Sequence, residues 1–277
     1  MERLMRKNTD RGGYRKRASK AEMDGTWHDL LRTCSERTES LRTGGEGGEA
    51  TMDETEAILF SLAKAVEQRD AQTAGHCERL AFISVALGVA IGLERESLVA
   101  LYRGGYLHDV GKVGIPDSIL FKPGALNSEE WVVMRSHPAR GEEICRPLQS
   151  LEPVLPIIRH HHERWDGSGY PDGLRQEQIP LLARILQMAD IYDALTSPRP
   201  YKPAYLPARA LELMAEETTR GWRDPRIFKL FARLHRDIIA KMTNFDADER
   251  NVESMTRSLL NLRKALSSES RELMKAS

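Results

Sequence analysis

Cysteine is scarce in this sequence. Cys34, Cys77 and Cys145 are odd in number and far apart, with no Cys-x-x-Cys pair. That spacing indicates neither a disulfide framework nor a structural zinc knot, and it fits a reducing compartment, so a cytoplasmic location is expected. Aromatic residues are also few, 6% of the 277, within a hydrophobic total of 40%. Such a balance disfavours a β-sandwich and favours Leu- and Ala-rich helices. Long hydrophobic runs are missing. The longest uncharged apolar stretch, Ala81 to Leu93, falls well short of the roughly 20 residues that cross a bilayer, so no membrane span is predicted. Net charge is missing as well: 41 Lys and Arg balance 41 Asp and Glu, and nucleic acid is not an expected partner.

The basic charge that exists is concentrated at one end. The first twenty residues hold Arg3, Arg6, Lys7, Arg11, Arg15, Lys16, Arg17 and Lys20 against Glu2 and Asp10, with no apolar segment after them, which excludes a signal peptide. Residues 1–50 contain few large apolar side chains and end in Gly44, Gly45, Gly47 and Gly48. They read as a flexible basic tail or linker. From Thr51 the pattern changes. Thr51 and Glu54 have capping-box spacing, and Ile58, Leu59, Leu62, Ala65 and Val66 recur at helical intervals. Further helices are predicted over 76–93, 96–109, 127–136, 138–147, 151–163, 181–195, 207–219 and 225–241, with Gly and Pro between them. No useful strand alternation occurs, so the expected fold is all-α, with a domain over 51–240. Residues 241–277 form an extension in which Met255, Leu259, Leu260, Leu262, Leu266 and Leu273 predict a C-terminal helix that packs on the core or pairs with a second copy as a homodimer.

Six of the eight histidines fall between positions 76 and 162, and carboxylates accompany them: His76, His108-Asp109, His137, His160-His161-His162 and, later, Asp190. Neutral imidazole and carboxylate are ligands for divalent Fe, Mn, Zn or Ni. Adjacent residues on a helix diverge by roughly 100°, so His108 and Asp109 can serve different ions, or the carboxylate can bridge two. Taken singly, each residue has an ordinary alternative as a surface group or a hydrogen-bonded core group. Together they point to a metal centre.

In chain order, these residues lie in longer motifs: Ala65-Val-Glu67-Gln-Arg69-Asp70, Thr73-Ala-Gly75-His76, Leu107-His108-Asp109-Val-Gly111-Lys112-Val-Gly114-Ile115-Pro116-Asp117, His161-His162-Glu163-Arg164-Trp-Asp166-Gly167-Ser-Gly169-Tyr170-Pro171, Ala189-Asp190-Ile-Tyr192-Asp193-Ala194-Leu195-Thr196-Ser197 and Arg199-Pro200-Tyr201. This set resembles the HD-GYP branch of the HD-domain phosphohydrolases over about residues 53 to 235. The resemblance implies an HD-type helical bundle with a dinuclear centre of two divalent ions, Fe or Mn. It also implies a phosphodiesterase acting on cyclic di-GMP to give pGpG and GMP, with another cyclic dinucleotide such as cyclic GMP-AMP, or a non-catalytic interaction module, as alternatives. His76, His108, Asp109 and Asp190 resemble the ligands of one metal, and His137, His161 and His162 those of the second, with Asp109 bridging. Asp109 and Lys112 would carry the catalysis. Lys112, Tyr170, Arg199 and Lys202 would bind substrate, and Gly169, Tyr170 and Pro171 would form a loop that meets a diguanylate cyclase domain. Read as ordinary residues, Lys112 is a surface lysine after a turn and Arg199 a salt-bridge partner.

Glycines 111, 114, 167 and 169 are expected to supply positive φ and close approach of the backbone to metal or substrate, and Asp166 either orients a histidine or caps its loop. Two departures from the family pattern stand out. Gln72 occupies the place of a third-metal Glu, which predicts two metals. Gln176 stands where a Gly usually precedes Glu-x-Ile-Pro, which predicts a strained turn if φ is positive there. About fifty tail residues are too few for a receiver domain of roughly 100 or more, so the chain reads as a nearly stand-alone catalytic domain.

Overall fold

The computed structural model describes residues 54–69, 75–198 and 203–243. The expected basic tail, most of the C-terminal extension with its helix, and Gln72, Arg199 and Lys202 lie outside the described residues. The chain divides into two units, 1–61 and 62–277. Of the first unit, only the opening of helix α1 (Glu54–Arg69) is described. The second unit continues α1 and adds α2 (His76–Ile91), α3 (Arg95–Leu107), α4 (Asp117–Leu120), α5 (Ser128–Met134), α6 (His137–Cys145), α7 (Leu155–His160), α8 (Leu181–Thr196), α9 (Pro207–Thr219) and α10 (Pro225–Thr243). Short 3-10 turns intervene at Val110–Gly114, Gln149–Val154 and Gln176–Gln178. No strand occurs among the described residues, so the all-α expectation holds.

Helix α2 is the centre of the unit. From Leu80 to Ala90 it is buried on every side, as expected of a helix with neighbours all round it, while Glu78 and Arg79 in its first turn are only partly buried. Helices α3, α8 and α10 pack against it. Its C-terminus is closed by Gly92 at φ 89°, where the Gly92 and Leu93 amides both return to the Gly88 carbonyl. This left-handed cap costs a glycine nothing and satisfies a carbonyl that the helix leaves open. Helix α10 is two-faced, burying Ile227, Leu230, Phe231, Leu234 and Ile238 at helical spacing. Phe231 meets Tyr192 of α8 edge-on at 5.0 Å. Inside the fold, Arg184 of α8 and Asp224, just before α10, form a buried pair at 2.6 Å.

Three expectations change. The predicted helix 151–163 is instead a 3-10 turn followed by α7. Pro153 has no N–H to donate and stiffens the first segment, and the chain leaves the helix after His160. Helix α3 stops at Leu107 rather than 109, so Asp109 takes a non-helical conformation, φ −102° and ψ 6°, ahead of the next turn. Of the four glycines singled out, only Gly167 has positive φ (81°). The others allow close approach: a Cβ at Gly111 would lie 2.0 Å from the His137 carbonyl, and one at Gly169 would lie 2.2 Å from the Arg164 nitrogen.

Gln176 does take a positive φ, 49°, the one non-glycine residue to do so among those described. Its amide donates to the Trp165 carbonyl, which holds the loop in place. A side chain in this region costs about 1–2 kcal/mol, and a glycine loses about 0.4–1 kcal/mol through its freer unfolded chain. Gln176→Gly is therefore expected to stabilise the protein by up to about 1 kcal/mol, a rise of roughly 2–4 °C in thermal midpoint. A lowered midpoint would contradict the strain assigned to this turn.

Candidate metal centre

Four helix ends, a turn and the body of α8 deliver the chemistry. His76 opens α2, where the Glu67 carboxylate accepts its backbone N–H at 2.6 Å. His108 caps α3 and Asp109 follows it. His137 opens α6, with Pro138 behind it in a position that needs no N–H. His161 and His162 follow the end of α7, and Asp190 lies on α8. Gly111 lets the Asp109 turn close onto the start of α6, which brings His137 to the His108-Asp109 pair.

Most of the histidines are oriented by bonds on their outer nitrogen. Nδ1 of His108, His137 and His161 faces the carbonyl three residues earlier, of Gly105, Met134 and Ile158, at 3.1, 2.8 and 2.8 Å. A carbonyl only accepts, so each Nδ1 carries a proton, and in the neutral ring Nε2 is the atom with a lone pair to offer. His76 Nδ1 is held in the same manner by Asp193 Oδ2 at 2.7 Å. Asp193 is itself gripped by Arg79, and its carboxyl is held at about 2 because the bonds from His76 and Arg79 outweigh the opposing effect of burial. Histidines oriented this way are pre-set as ligands.

The inner atoms converge on Asp109. Its Oδ1 lies 3.1 Å from His137 Nε2 and 3.8 Å from His161 Nε2, while its Oδ2 lies 3.3 Å from His108 Nε2. Two donor sets result, Asp109 with His137, His161 and His162, and Asp109 with His76 and His108, with the ligand atoms of each set within 4.8 Å of one another. Asp190 Oδ1 stands 3.6 Å from His76 Nε2. Among the described residues, His108 Nε2 and Asp109 Oδ1 are buried with no hydrogen-bond partner, an arrangement that is costly unless a cation completes it. Burial holds His161 below the usual imidazole range and His162 far below it, so both present neutral rings at neutral pH. Burial opposes ionisation of Asp109, but Lys112 and then His108 keep its carboxyl well below the usual carboxylate range. Buried neutral imidazoles around an ionised carboxylate fit divalent metal.

The remaining expected residues gather nearby. Lys112 Nζ is 2.7 Å from Asp109 Oδ2. Tyr170 stacks on His162, ring centres 4.8 Å apart and planes at 29°, and its Gly169-Tyr170-Pro171 loop includes a cis bond before Pro171. Asp166 caps its own loop, accepting from the Ser168 backbone and hydroxyl at 2.9 and 2.7 Å. His160, Glu163 and Asp172 form a third group that shares no residue with the two sets. Its Asp172 is taken up by a two-bond pair with Arg159.

Three contributors were not assigned a role from the sequence. Asp193 lies one turn beyond Asp190 on α8, and that spacing was the available signal. Glu163 is fully buried beside the histidine pair and accepts the Asp172 and Leu174 amides at 2.7 and 3.2 Å, which fastens the loop carrying Tyr170. Gln187 donates to the His161 and Glu163 carbonyls, tying that segment to α8. Neither of the last two carries a spacing signal.

A family model described as "HD domain" matches residues 60–227. A cyclic di-GMP phosphodiesterase response regulator of Xanthomonas campestris is 42% identical over 64% of this chain and 48% of its own length. A cyclic di-GMP phosphodiesterase of Pseudomonas aeruginosa is 40% identical over 63% and 42%. A 3'3'-cGAMP-specific phosphodiesterase of Vibrio cholerae is 37% identical over 62% and 33%. The chain thus spans less than half the length of these relatives. Among solved structures, a cyclic GMP-AMP specific phosphodiesterase of V. cholerae matches with a TM-score of 0.55 at 22% identity, covering 79% of this chain and 57% of that one, a likeness of fold. The matched family, the all-α fold and the convergence of the His108-Asp109 pair with the other histidines agree, and the chain belongs to the HD-domain family.

Proposed function

We propose that this chain is a metal-dependent phosphodiesterase that hydrolyses cyclic di-GMP to pGpG, with GMP as the product of a second cleavage. One observation carries the reading: the two oxygens of Asp109 face two different groups of histidines, Oδ1 toward His137 and His161 and Oδ2 toward His108. A single carboxylate placed this way can join two ions. His76, His108, Asp109 and Asp190 would hold one, and Asp109, His137, His161 and His162 the other. Fe or Mn is the expected metal. When bound, the ions would supply Lewis acidity toward the phosphoryl oxygens and a nucleophile at neutral pH.

The chain's own groups supply the rest. Lys112 is a flexible point charge beside Asp109, able to neutralise charge growing on the non-bridging phosphate oxygens or to help protonate the departing ribose 3′-oxygen. Tyr170, stacked on His162, forms the mouth of the site. Arg199 and Lys202 would hold the second phosphate. A diguanylate cyclase domain at the Gly169-Tyr170-Pro171 loop, a homodimer and a cytoplasmic location belong to the same proposal. Among the described residues no helix is long and apolar enough to cross a membrane.

A second substrate, cyclic GMP-AMP, is favoured by the names of three of the V. cholerae relatives. Anaerobically purified protein, supplied with Fe²⁺ or Mn²⁺ and a panel of cyclic dinucleotides, separates the readings by product analysis. Cyclic di-GMP is expected to be cleaved fastest. Preferential cleavage of cyclic GMP-AMP would favour the second reading. Bound metal without turnover of any dinucleotide would overturn both.

A further inference from the structure

Beyond the metal-facing residues, a column of planar groups leads outward from the site. Tyr170 stacks on His162. The guanidinium carbon of Arg135 stands over the Tyr170 ring at 5.4 Å and over the Trp131 ring, also at 5.4 Å. Arg135 caps α5 one turn after Trp131, its amide bonded to the Trp131 carbonyl at 2.9 Å, so the backbone sets its place in the column. Trp131 is half-buried and Arg135 is exposed. A guanidinium over a ring face is attracted by the ring's quadrupole and carries a planar fork of N–H donors.

We propose that Arg135 is a specificity-determining residue that reads the O6/N7 edge of a guanine of the cyclic dinucleotide. The inference rests on the phosphodiesterase reading of the same site. Guanine presents two acceptors side by side on this edge, which match a guanidinium fork. Adenine presents one acceptor and one donor there, so one arm of the fork would face a donor. The column places this fork one ring beyond His162, whereas Lys112 lies against Asp109. A base extending from a phosphate held at the centre would run toward Tyr170 and Arg135.

The test compares wild type, Arg135→Ala and Arg135→Lys on cyclic di-GMP and on bis(p-nitrophenyl) phosphate, a diester with no purine. The reading is the ratio of kcat/KM for the two substrates, together with the KM for cyclic di-GMP. Arg135→Ala is expected to lower the ratio on the order of tenfold to a hundredfold, the range a bidentate guanine contact commands, mainly through KM. Arg135→Lys is expected to recover little of it, because an ammonium lacks the fork. An unchanged ratio would overturn the assignment, as would full recovery with lysine, which would make Arg135 a point charge for phosphate. A wild type that cleaves the purine-free diester, yet neither cleaves cyclic di-GMP nor is inhibited by it, would remove the phosphodiesterase reading itself. In that case the Arg135 assignment falls with it.

Discussion

Asp109→Ala is expected to abolish cyclic di-GMP hydrolysis and to leave the purified protein with little of either metal. The reason is geometric. Asp109 alone belongs to both donor sets, with Oδ1 toward His137 and His161 and Oδ2 toward His108. Without it, one set falls to three histidines and the other to His76 and His108, with Asp190 at a distance. The lost anionic charge would also leave Lys112 without its 2.7 Å partner. Removing stabilisation of several kcal/mol corresponds to a rate loss on the order of 10³-fold or more. Metal content by elemental analysis and turnover by product chromatography read the two effects separately. Asp109→Asn is the companion variant, since it keeps the shape, removes the charge and guards against simple misfolding. Full activity with both metals present in either variant would overturn the bridging role.

Lys112→Ala is expected to retain both metals and to lose on the order of 10²-fold or more in rate, the cost of removing one group that stabilises developing charge. Lys112 sits in the 3-10 turn directly after Asp109, so its ammonium is delivered to the same carboxylate that the histidines surround. The two variants discriminate because they should part company on metal content. Loss of metal from Lys112→Ala would mean that the lysine supports Asp109 structurally, and its role toward phosphate would be wrong.

Much of the architecture was legible in the chain. Apolar residues at helical spacing marked nearly every helix of the second unit, because a helix must bury one stripe and the stripe repeats with its period. The reading failed where backbone chemistry overrode periodicity. Pro153 divided the helix expected over 151–163, and the helix expected to reach Asp109 ended two residues earlier, at Leu107. Gln176 shows the opposite case, since a departure from a glycine pattern correctly marked a left-handed turn.

The site divides along similar lines. The kinds of donor group, their order and their clustering were present in the sequence, since imidazole and carboxylate chemistry belongs to the residue and survives any folding. Which oxygen of Asp109 meets which histidine was not, nor was the grip of Asp193 on His76, 117 positions away. The fully buried Glu163 beneath the Tyr170 loop and the column from His162 through Tyr170 to Arg135 and Trp131 were equally hidden. Local periods fix the helices one at a time. Contacts among residues distant in the chain depend on how α2, α6, α7 and α8 settle against one another, and packing at near-crystalline density sets those distances to within tenths of an ångström.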